Sequence, residues 1–458
     1  MSQAKSAAKR VVLLVDSRRR DLPVAALIAH QLEELGLQCF LEPLEAYRGV
    51  LAAHRPHLIV FNHILASHLE KYSQRLGQMG VRTAVLLNEG ILYDEGEMKY
   101  NAGRFHNDAH IDYYFCWNEP HAQALRAEGF DKNTRIEVIG VPRFDFYKEP
   151  WSRVFYRRDP SDKRERPKVL VCTNFVCAKF HELPKEEGDK FFAAWKDRIP
   201  LHRDYWTAIG AQHRARARAF EFLDELVAAD EFDIILRPHP NEEQSLHHAW
   251  FGKLDAQRKR HVHLDLVTNI TTQILDCDLE ISCETCTTAL EAWMAGKPTV
   301  ELTFEKYPLW FHHDHGAANE LCGEPKALVP LVRKLLREFD PANLPAARVA
   351  HLKKWCDRTD GQSCRTLAGM IADAVKAAPE PDWSKLTAAD KRRGLKLKSL
   401  QSVGLPYHFN PFLPLKRFLR PQKYAVKTFA YSKSIRPADV AEMRARIHAS
   451  QQDVPLVN

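Results

Sequence analysis

The sequence predicts an α/β protein of two consecutive Rossmann-like domains, each a mostly parallel sheet covered by helices. Three observations predict it. Apolar runs of strand length recur through both halves of the chain. Stretches with helical periodicity separate them. A charged stretch with three prolines and no period, FYKEPWSRVFYRRDPSDKRERP (146–167), divides the two series. Strands alternating with helices of this length build βαβ units, and βαβ units close into parallel sheets.

In the first series VVLLV (11–15) is a strand, SRRRDLP a polar turn, and VAALIAHQLEELG a helix ended by Gly36. LQCFLE (37–42), HLIVFN (57–62), RTAVLLNEG (82–90), IDYYFCWN (111–118) and RIEVIG (135–140) supply five more strands. In the second series the strands are KVLVCTNF (168–175), the apolar part of DEFDIILRPHP (230–240), HVHLDL (261–266), LEISC (279–283) and PTVEL (298–302). Helical stretches cover 206–229, 285–295, 327–339 and 361–377. The expected boundaries are a first domain over 1–150, a linker over 151–167, a second domain over 168–378 and an extension over 379–458.

Composition narrows the class. The 458 residues are 45% hydrophobic and 27% charged, as in a globular protein with a full core. Ten scattered cysteines do not make a disulfide framework, which points to a reducing, cytoplasmic setting with free thiols. The first apolar run, Val11 to Val15, is too short for a signal-peptide core, and no apolar stretch approaches membrane-spanning length. The net charge of +7 is unevenly placed: Lys385 to Arg436 holds 13 Lys/Arg and one acid, Asp390. Trp383, Tyr407, Phe409, Phe412, Phe418, Tyr424, Phe429 and Tyr431 accompany these charges. Such a segment suits the inner surface of the cytoplasmic membrane, with basic groups on anionic lipid and aromatics at the interface. Nucleic acid is the competing partner, and a solvated extension or one packed back on the domains is a further reading. No RNA-binding signature accompanies the segment, so no nucleic-acid partner is expected.

Two tandem Rossmann-like domains suggest the type B glycosyltransferase plan, in which the domains face each other across a cleft. Ligands of such sheets bind at the carboxyl ends of the strands, so the residues there carry the chemistry. After the first strand come Asp16, Arg18, Arg19, Arg20 and Asp21. Asp16, Arg18 and Arg20 are candidates for substrate binding, since arginines hold anionic groups bidentately. A solvated charge run reads the same way. After RTAVLL comes Asn88-Glu89-Gly90. A carboxylate on a Gly turn can take a proton from an acceptor hydroxyl or attack a sugar, a solvated loop Glu reads the same way, and Asp94 and Glu95 are rival acids. In GVPRFDFY (140–147), Arg143 and Asp145 are expected to pair and fix the turn. Asn174 closes the first strand of the second domain, where it could face the donor. The most specific motif is DIILRPHPNE (233–242): prolines on both sides of His239 restrict the backbone and aim the imidazole. Arg237 and His239 can each donate to a phosphate oxygen.

LEISCETCTTALEAWMAGKPTVEL (279–302) reads as strand, turn, helix and strand. Ser282, Glu284, Thr285, Thr287 and Thr288 lie on the turn and the helix start, where free N–H groups favour an anion. Thr285 or Thr287 could equally be a helix cap. Glu291, a turn further on, could accept from ribose hydroxyls. Cys283 and Cys286 form one C-x-x-C pair, and a structural zinc site commonly needs two, so no metal is expected. Asp276 and Asp278 precede a strand, at the end away from the ligand edge, and are read as structural.

The order NEG, GVPRFD, TNF, RPHPNE and SCETCTTALEAWMAGKP over about 10–375 resembles bacterial surface-carbohydrate biosynthesis proteins. These are related to capsule and lipopolysaccharide transferases that use CMP-activated ulosonic acids such as Kdo and sialic acid. The motifs are also similar to those of type B sialyltransferases. The resemblance implies a metal-independent glycosyltransferase with a CMP-linked sugar donor, no bound cofactor, and a saccharide or lipid-linked acceptor. It implies Glu89 as the acceptor-side catalytic carboxylate and His239 as the group at the donor phosphate. Thr287 and Thr288 would hold that phosphate and Glu291 the ribose. Asn88 stands where sialyltransferases often carry an acid, and Cys286 interrupts the hydroxyl pair. A CDP-alcohol-dependent polyol-phosphate transferase and a non-catalytic member of a polysaccharide assembly complex share the same plan.

Overall fold

The computed structural model describes residues 8–103, 108–157, 164–419 and 434–452. It forms two compact units. The first comprises residues 1–91, 101–145 and 360–458, and the second 92–100 and 146–359. Among the described residues no helix is long and apolar enough to cross a membrane.

In the first unit, strands β1 (Arg10–Val15), β2 (Gln38–Pro43), β3 (Leu58–Phe61), β4 (Arg82–Leu86), β5 (Tyr113–Cys116) and β6 (Arg135–Val138) form one sheet in the order β2-β1-β3-β4-β5-β6. Every pairing is parallel. Strands such as VVLLV and LIVF are apolar at every position because helices cover both faces. Val12, Leu14, Ile59, Phe61, Val85 and Tyr114 meet Val50, Leu51, Leu69 and Leu76 of the covering helices. The order reverses between β1 and β3, so a ligand crevice is expected at their carboxyl ends.

The second unit repeats the plan. Strands β7 (Lys168–Thr173), β8 (Asp233–Pro238), β9 (Val262–Leu264), β10 (Leu279–Cys283), β11 (Thr299–Leu302) and β12 (Glu320–Cys322) take the order β12-β11-β10-β7-β8-β9, again all parallel. Its reversal lies between β7 and β10. Each unit therefore holds one of the two expected Rossmann-like sheets.

The two units divide the chain differently from the sequence expectation. The stretch expected to be a linker, 151–167, belongs to the second unit and buries Trp151 and Val154. The helix Ser363–Lys376, expected in the second domain, belongs to the first unit. Asp145 tethers it there by accepting the N–H groups of Ser363 (3.0 Å) and Cys364 (2.7 Å). Burial pushes the Asp145 carboxyl up to about 6 in spite of those two donors. The expected Arg143–Asp145 pair is thus replaced by a cap: Asp145 serves the helix, and Arg143 lies over the Trp117 ring at 5.2 Å.

The extension is also largely part of the first unit. Its helix Ala388–Ser402 begins with a Thr387/Asp390 capping box and packs on the helix Tyr47–His54. The backbones approach closely, since a Cβ on Gly394 would lie 3.0 Å from the Ala52 Cβ and one on Gly49 would lie 3.2 Å from the Arg393 carbonyl oxygen. Arg75 donates to Asp390, and Gln401 to the buried Glu42. Trp383 and Tyr407, read from sequence as interfacial aromatics, instead pack on the core of this unit. Tyr424, Phe429 and Tyr431 lie outside the described residues.

Candidate functional site

Each sheet gathers polar groups at its carboxyl edge. In the first unit the Asn88-Glu89-Gly90 turn is held at all three residues. Asn88 donates from Nδ2 to Asp21 Oδ2 (3.0 Å) and accepts at Oδ1 from Asn62 Nδ2 (2.6 Å). Glu89 accepts at Oε1 from Arg20 Nη1 (2.7 Å), while its side chain stays 77% exposed. Gly90 lies against Trp117, where a Cβ would come within 2.9 Å of the indole. Its carbonyl accepts from Asn118 Nδ2 (2.9 Å).

Arg20 and Asp21 close this network. Arg20 Nε donates to Asp21 Oδ1 at 2.8 Å, and the Ser17 amide donates to Asp21 Oδ2 at 2.8 Å. Burial raises the Asp21 carboxyl, and the Arg20 charge opposes that rise. Arg20 is accordingly joined to Glu89 and Asp21, whereas Arg18 turns away to Asp439 of the helix Pro437–Gln451, at 3.2 Å. Asp16 lies close enough to add to the field at both Arg20 and Asp21. Of the three expected substrate-binding residues, Asp16 and Arg20 share one cluster and Arg18 serves a helix of the extension.

A cavity of about 40 Å³ opens beside this network, lined by Leu14, Val24, Asn62, Asn88, Trp117 and Arg143 among others. Two buried polar atoms of its lining residues, Asn62 Oδ1 and Trp117 Nε1, have no hydrogen-bond partner among the described residues.

In the second unit the RPHP turn is tied to the end of β7. His239 N–H donates to the Thr173 carbonyl (3.1 Å) and to Glu242 Oε1 (3.1 Å). Thr173 Oγ1 donates to the same carboxylate oxygen at 2.8 Å. The Asn241 amide donates to His239 Nδ1 at 3.2 Å, which makes Nδ1 the acceptor and leaves the neutral ring's proton on Nε2. Glu242, absent from the sequence expectation, is the post that fixes this turn. Arg237 donates from Nη1 to the Thr268 carbonyl at 2.6 Å, and the Asn174 carbonyl accepts from Gln212 Nε2 at 3.0 Å.

The turn after β10 has two consecutive non-glycine residues in the left-handed region, Glu284 (φ 59°) and Thr285 (φ 46°). Such strain persists where surrounding contacts enforce it. Here the enforcing group is Glu301 on β11, which accepts from Ser282 Oγ (2.6 Å) and the Thr285 amide (2.7 Å). Thr285 Oγ1 donates to the Trp310 carbonyl (2.9 Å) and accepts from the His312 amide (3.1 Å). Thr288 Oγ1 donates to Glu280 at 2.7 Å, and Glu291 is buried and accepts from Tyr147. Thr287 precedes the helix Thr288–Met294 but makes no side-chain cap bond. The turn's hydroxyls therefore divide: Ser282, Thr285 and Thr288 hold the turn, and Thr287 does not.

Burial dominates the electrostatics of this turn. It pushes Glu301 up to about 7, and together with the charges of Glu301 and Glu305 it pushes Glu284 up to about 8. It raises the Cys286 thiol to about 12 and the Cys283 thiol well above its ordinary value, which disfavours the thiolate at both. At the opposite edge, Asp276 pairs with Arg164 and Lys168, and Asp278 with Arg164 at 3.2 Å.

No family model and no curated protein matches the chain. Among solved structures it is similar to a putative UDP-N-acetylglucosamine 2-epimerase from Listeria monocytogenes, with a TM-score of 0.48 and 14% identity over 82% of this chain and 99% of that one. It is similar to the wall teichoic acid polymerase TagF, with a TM-score of 0.46 and 11% identity over 80% and 88%. It is also similar to a glycosyltransferase from Rickettsia africae, with a TM-score of 0.45 and 9% identity over 81% and 100%.

Proposed function

We propose that this protein is a nucleotide-sugar-dependent glycosyltransferase of bacterial surface polysaccharide assembly, with a CMP-activated ulosonic acid as donor. The observation that carries the reading is that each of two doubly wound sheets has an aimed acid–base group at its own carboxyl edge. In the first unit that group is Glu89, exposed but oriented by Arg20. In the second it is His239, whose Nδ1 is committed to the Asn241 amide.

In this reading Glu89 takes the proton of the acceptor hydroxyl. The acceptor oxygen forms its bond to the anomeric carbon as the bond from that carbon to the phosphate oxygen breaks. His239 Nε2–H donates to the departing phosphate oxygen, and Thr287 adds a hydroxyl donor. Fixed donors of this kind stabilise the charge that develops on the leaving group, with no metal required. Thr285 and Thr288, committed to the turn, position Thr287 rather than touch the phosphate. Glu291 reaches a ribose hydroxyl only by sharing Tyr147.

Membrane attachment belongs to the same proposal. Phe412, Leu415, Phe418 and Leu419 are exposed, beside the exposed Lys416. These side chains suit the interface of an anionic bilayer.

Thermal stabilisation of the full chain by CMP, CDP and UDP tests the donor, because a ligand that binds only the folded state raises its stability with concentration. CMP should stabilise most. Stabilisation by UDP alone overturns the CMP assignment, and stabilisation by none of the three overturns the nucleotide-sugar reading.

A further inference from the structure

We propose that Lys179 is a specificity-determining residue of the donor site. Its ammonium receives the carboxylate that an ulosonic acid carries on its anomeric carbon, beside the phosphate that His239 serves. The inference rests on the transferase reading for the donor, and on hydrogen bonds within the second unit for the placement of the lysine.

The turn that follows β7 fixes where Lys179 stands. Phe175, Cys177, Ala178 and Phe180 are buried, and Lys179 is the half-buried residue between the last two. Gln212, on the helix Tyr205–Ala229, clamps the turn: its Oε1 accepts from the Cys177 amide (2.7 Å) and its Nε2 donates to the Asn174 carbonyl (3.0 Å). The Phe180 amide donates to the Cys177 carbonyl at 3.0 Å. From this held backbone the Lys179 ammonium lies 5.5 Å from the centre of the Phe180 ring and donates to the Asn241 carbonyl at 3.1 Å. The amide of the same Asn241 donates to His239 Nδ1 at 3.2 Å. One residue thus orders two groups, the imidazole through its N–H and the ammonium through its C=O.

The charge of Lys179 stays available to a ligand. Arg214 and Arg216, on the helix that clamps the turn, pair with Glu305 and Glu182. Arg237 turns to the Thr268 carbonyl. Lys179 instead meets a neutral carbonyl and an aromatic face, and no carboxylate among the described residues pairs with it. Carboxyls on this edge of the sheet do little to offset it: burial raises Glu242, and pushes Glu301 up to about 7 and Glu284 up to about 8. The edge therefore favours an anion near neutral pH.

The donor's chemistry supplies two anions at one place. In an activated 2-ulosonic acid the anomeric carbon bears both the phosphate oxygen and the carboxylate. A nucleotide-linked aldose has a hydrogen where the carboxylate would be. Two donors ordered by one residue match the first arrangement and leave the lysine unused in the second. Ammonium on carboxylate is a charge-assisted hydrogen bond, and its loss with the wrong donor is what discriminates.

The test measures binding of CMP, CDP, CMP-sialic acid and CMP-Kdo to the full chain by calorimetry. It compares the native protein with Lys179→Met, which keeps an apolar stem against Phe180, and with Lys179→Arg. The native protein should bind at least one of the two sugar nucleotides more tightly than CMP. Lys179→Met should weaken that complex about 10- to 100-fold, the loss of one charge-assisted hydrogen bond, and leave CMP affinity within about twofold. Lys179→Arg keeps the charge and should keep the preference. If Lys179→Met folds poorly, Lys179→Gln gives the same comparison. The proposal is overturned if the substitution weakens CMP as much as the sugar nucleotide, if it weakens neither, or if the native protein gains nothing from either sugar. A loss confined to CDP would make Lys179 the seat of a second phosphate and overturns it too. In all these cases CMP still binds, and the nucleotide-sugar reading stands. A native protein that binds none of the four ligands sinks the transferase reading and the assignment together.

Discussion

Arg20 holds Glu89 by a single contact, Nη1 to Oε1 at 2.7 Å, while its Nε holds Asp21. One guanidinium thus orients the exposed carboxylate and ties it to the buried network. Glu89→Gln is expected to abolish transfer with little change in melting temperature, because an exposed ion pair contributes only ~0–1 kcal/mol. Arg20→Met should lower kcat by about 10²-fold or more, the scale of a displaced general base. Steady-state kinetics on purified variants checks both. Full activity in Glu89→Gln would transfer the role to Asp16 or Asp94.

His239→Ala should reduce kcat/KM by about 10²–10⁴-fold, the usual range for a proton-transfer group. Glu242→Gln should produce a smaller loss, because it loosens the turn without removing the imidazole. A variant in which the two losses are equal would mean that the turn, rather than the ring, is what matters.

Gly90→Ala places a Cβ 2.9 Å from the indole of Trp117. Overpacking of this kind costs typically 1–3 kcal/mol. The displaced turn should also lower activity more than stability, which parallel denaturation and turnover measurements would separate.

Glu284 and Glu301 predict a pH dependence. Both carboxyls titrate higher in the folded protein than the ordinary 4.5, at about 8 and about 7. Their protonated forms therefore favour folding. That contribution is complete below about pH 4.5 and is lost as pH rises through 7 to 8. Melting temperature should decline over this range, and Glu284→Gln should shallow the decline and be the more stable protein at pH 9. A decline of the same slope in Glu284→Gln would remove Glu284 from the account.

Gly394→Leu should be severe, because even its Cβ would lie 3.0 Å from the Ala52 Cβ and from the Ala53 amide nitrogen of the helix Tyr47–His54. A chain ending at Ala378 should melt lower than the full chain, since the helix Ala388–Ser402 covers part of the first unit's core. Differential scanning calorimetry of the two chains measures this, and equal melting would make the extension a mere appendage.

Much of this was legible in the residues. Eleven of the twelve strands stand out as apolar runs bounded by turns, and β12 does not because it is three residues long with two of them exposed. The RPHP turn and the Asn-Glu-Gly turn were visible from the punctuation of Pro and Gly after strands. Their partners were not. Asp145 meets Ser363 across 218 positions, and Arg18 meets Asp439 across 421. Periodicity is a local signal and says nothing about such pairings. Glu301 was hidden differently: in PTVEL it reads as the end of an apolar strand, and only the register of β11 against β10 places it opposite Ser282.

The first unit is assembled from three separated stretches of chain, and its last stretch begins at residue 360. During synthesis its sheet therefore emerges long before the helices that complete it. The second unit draws all but nine of its residues from the single run 146–359. The order of birth is the reverse of the order of completion: the domain that starts first must wait, with Asp145 lacking the helix it caps, until the ribosome has passed codon 360.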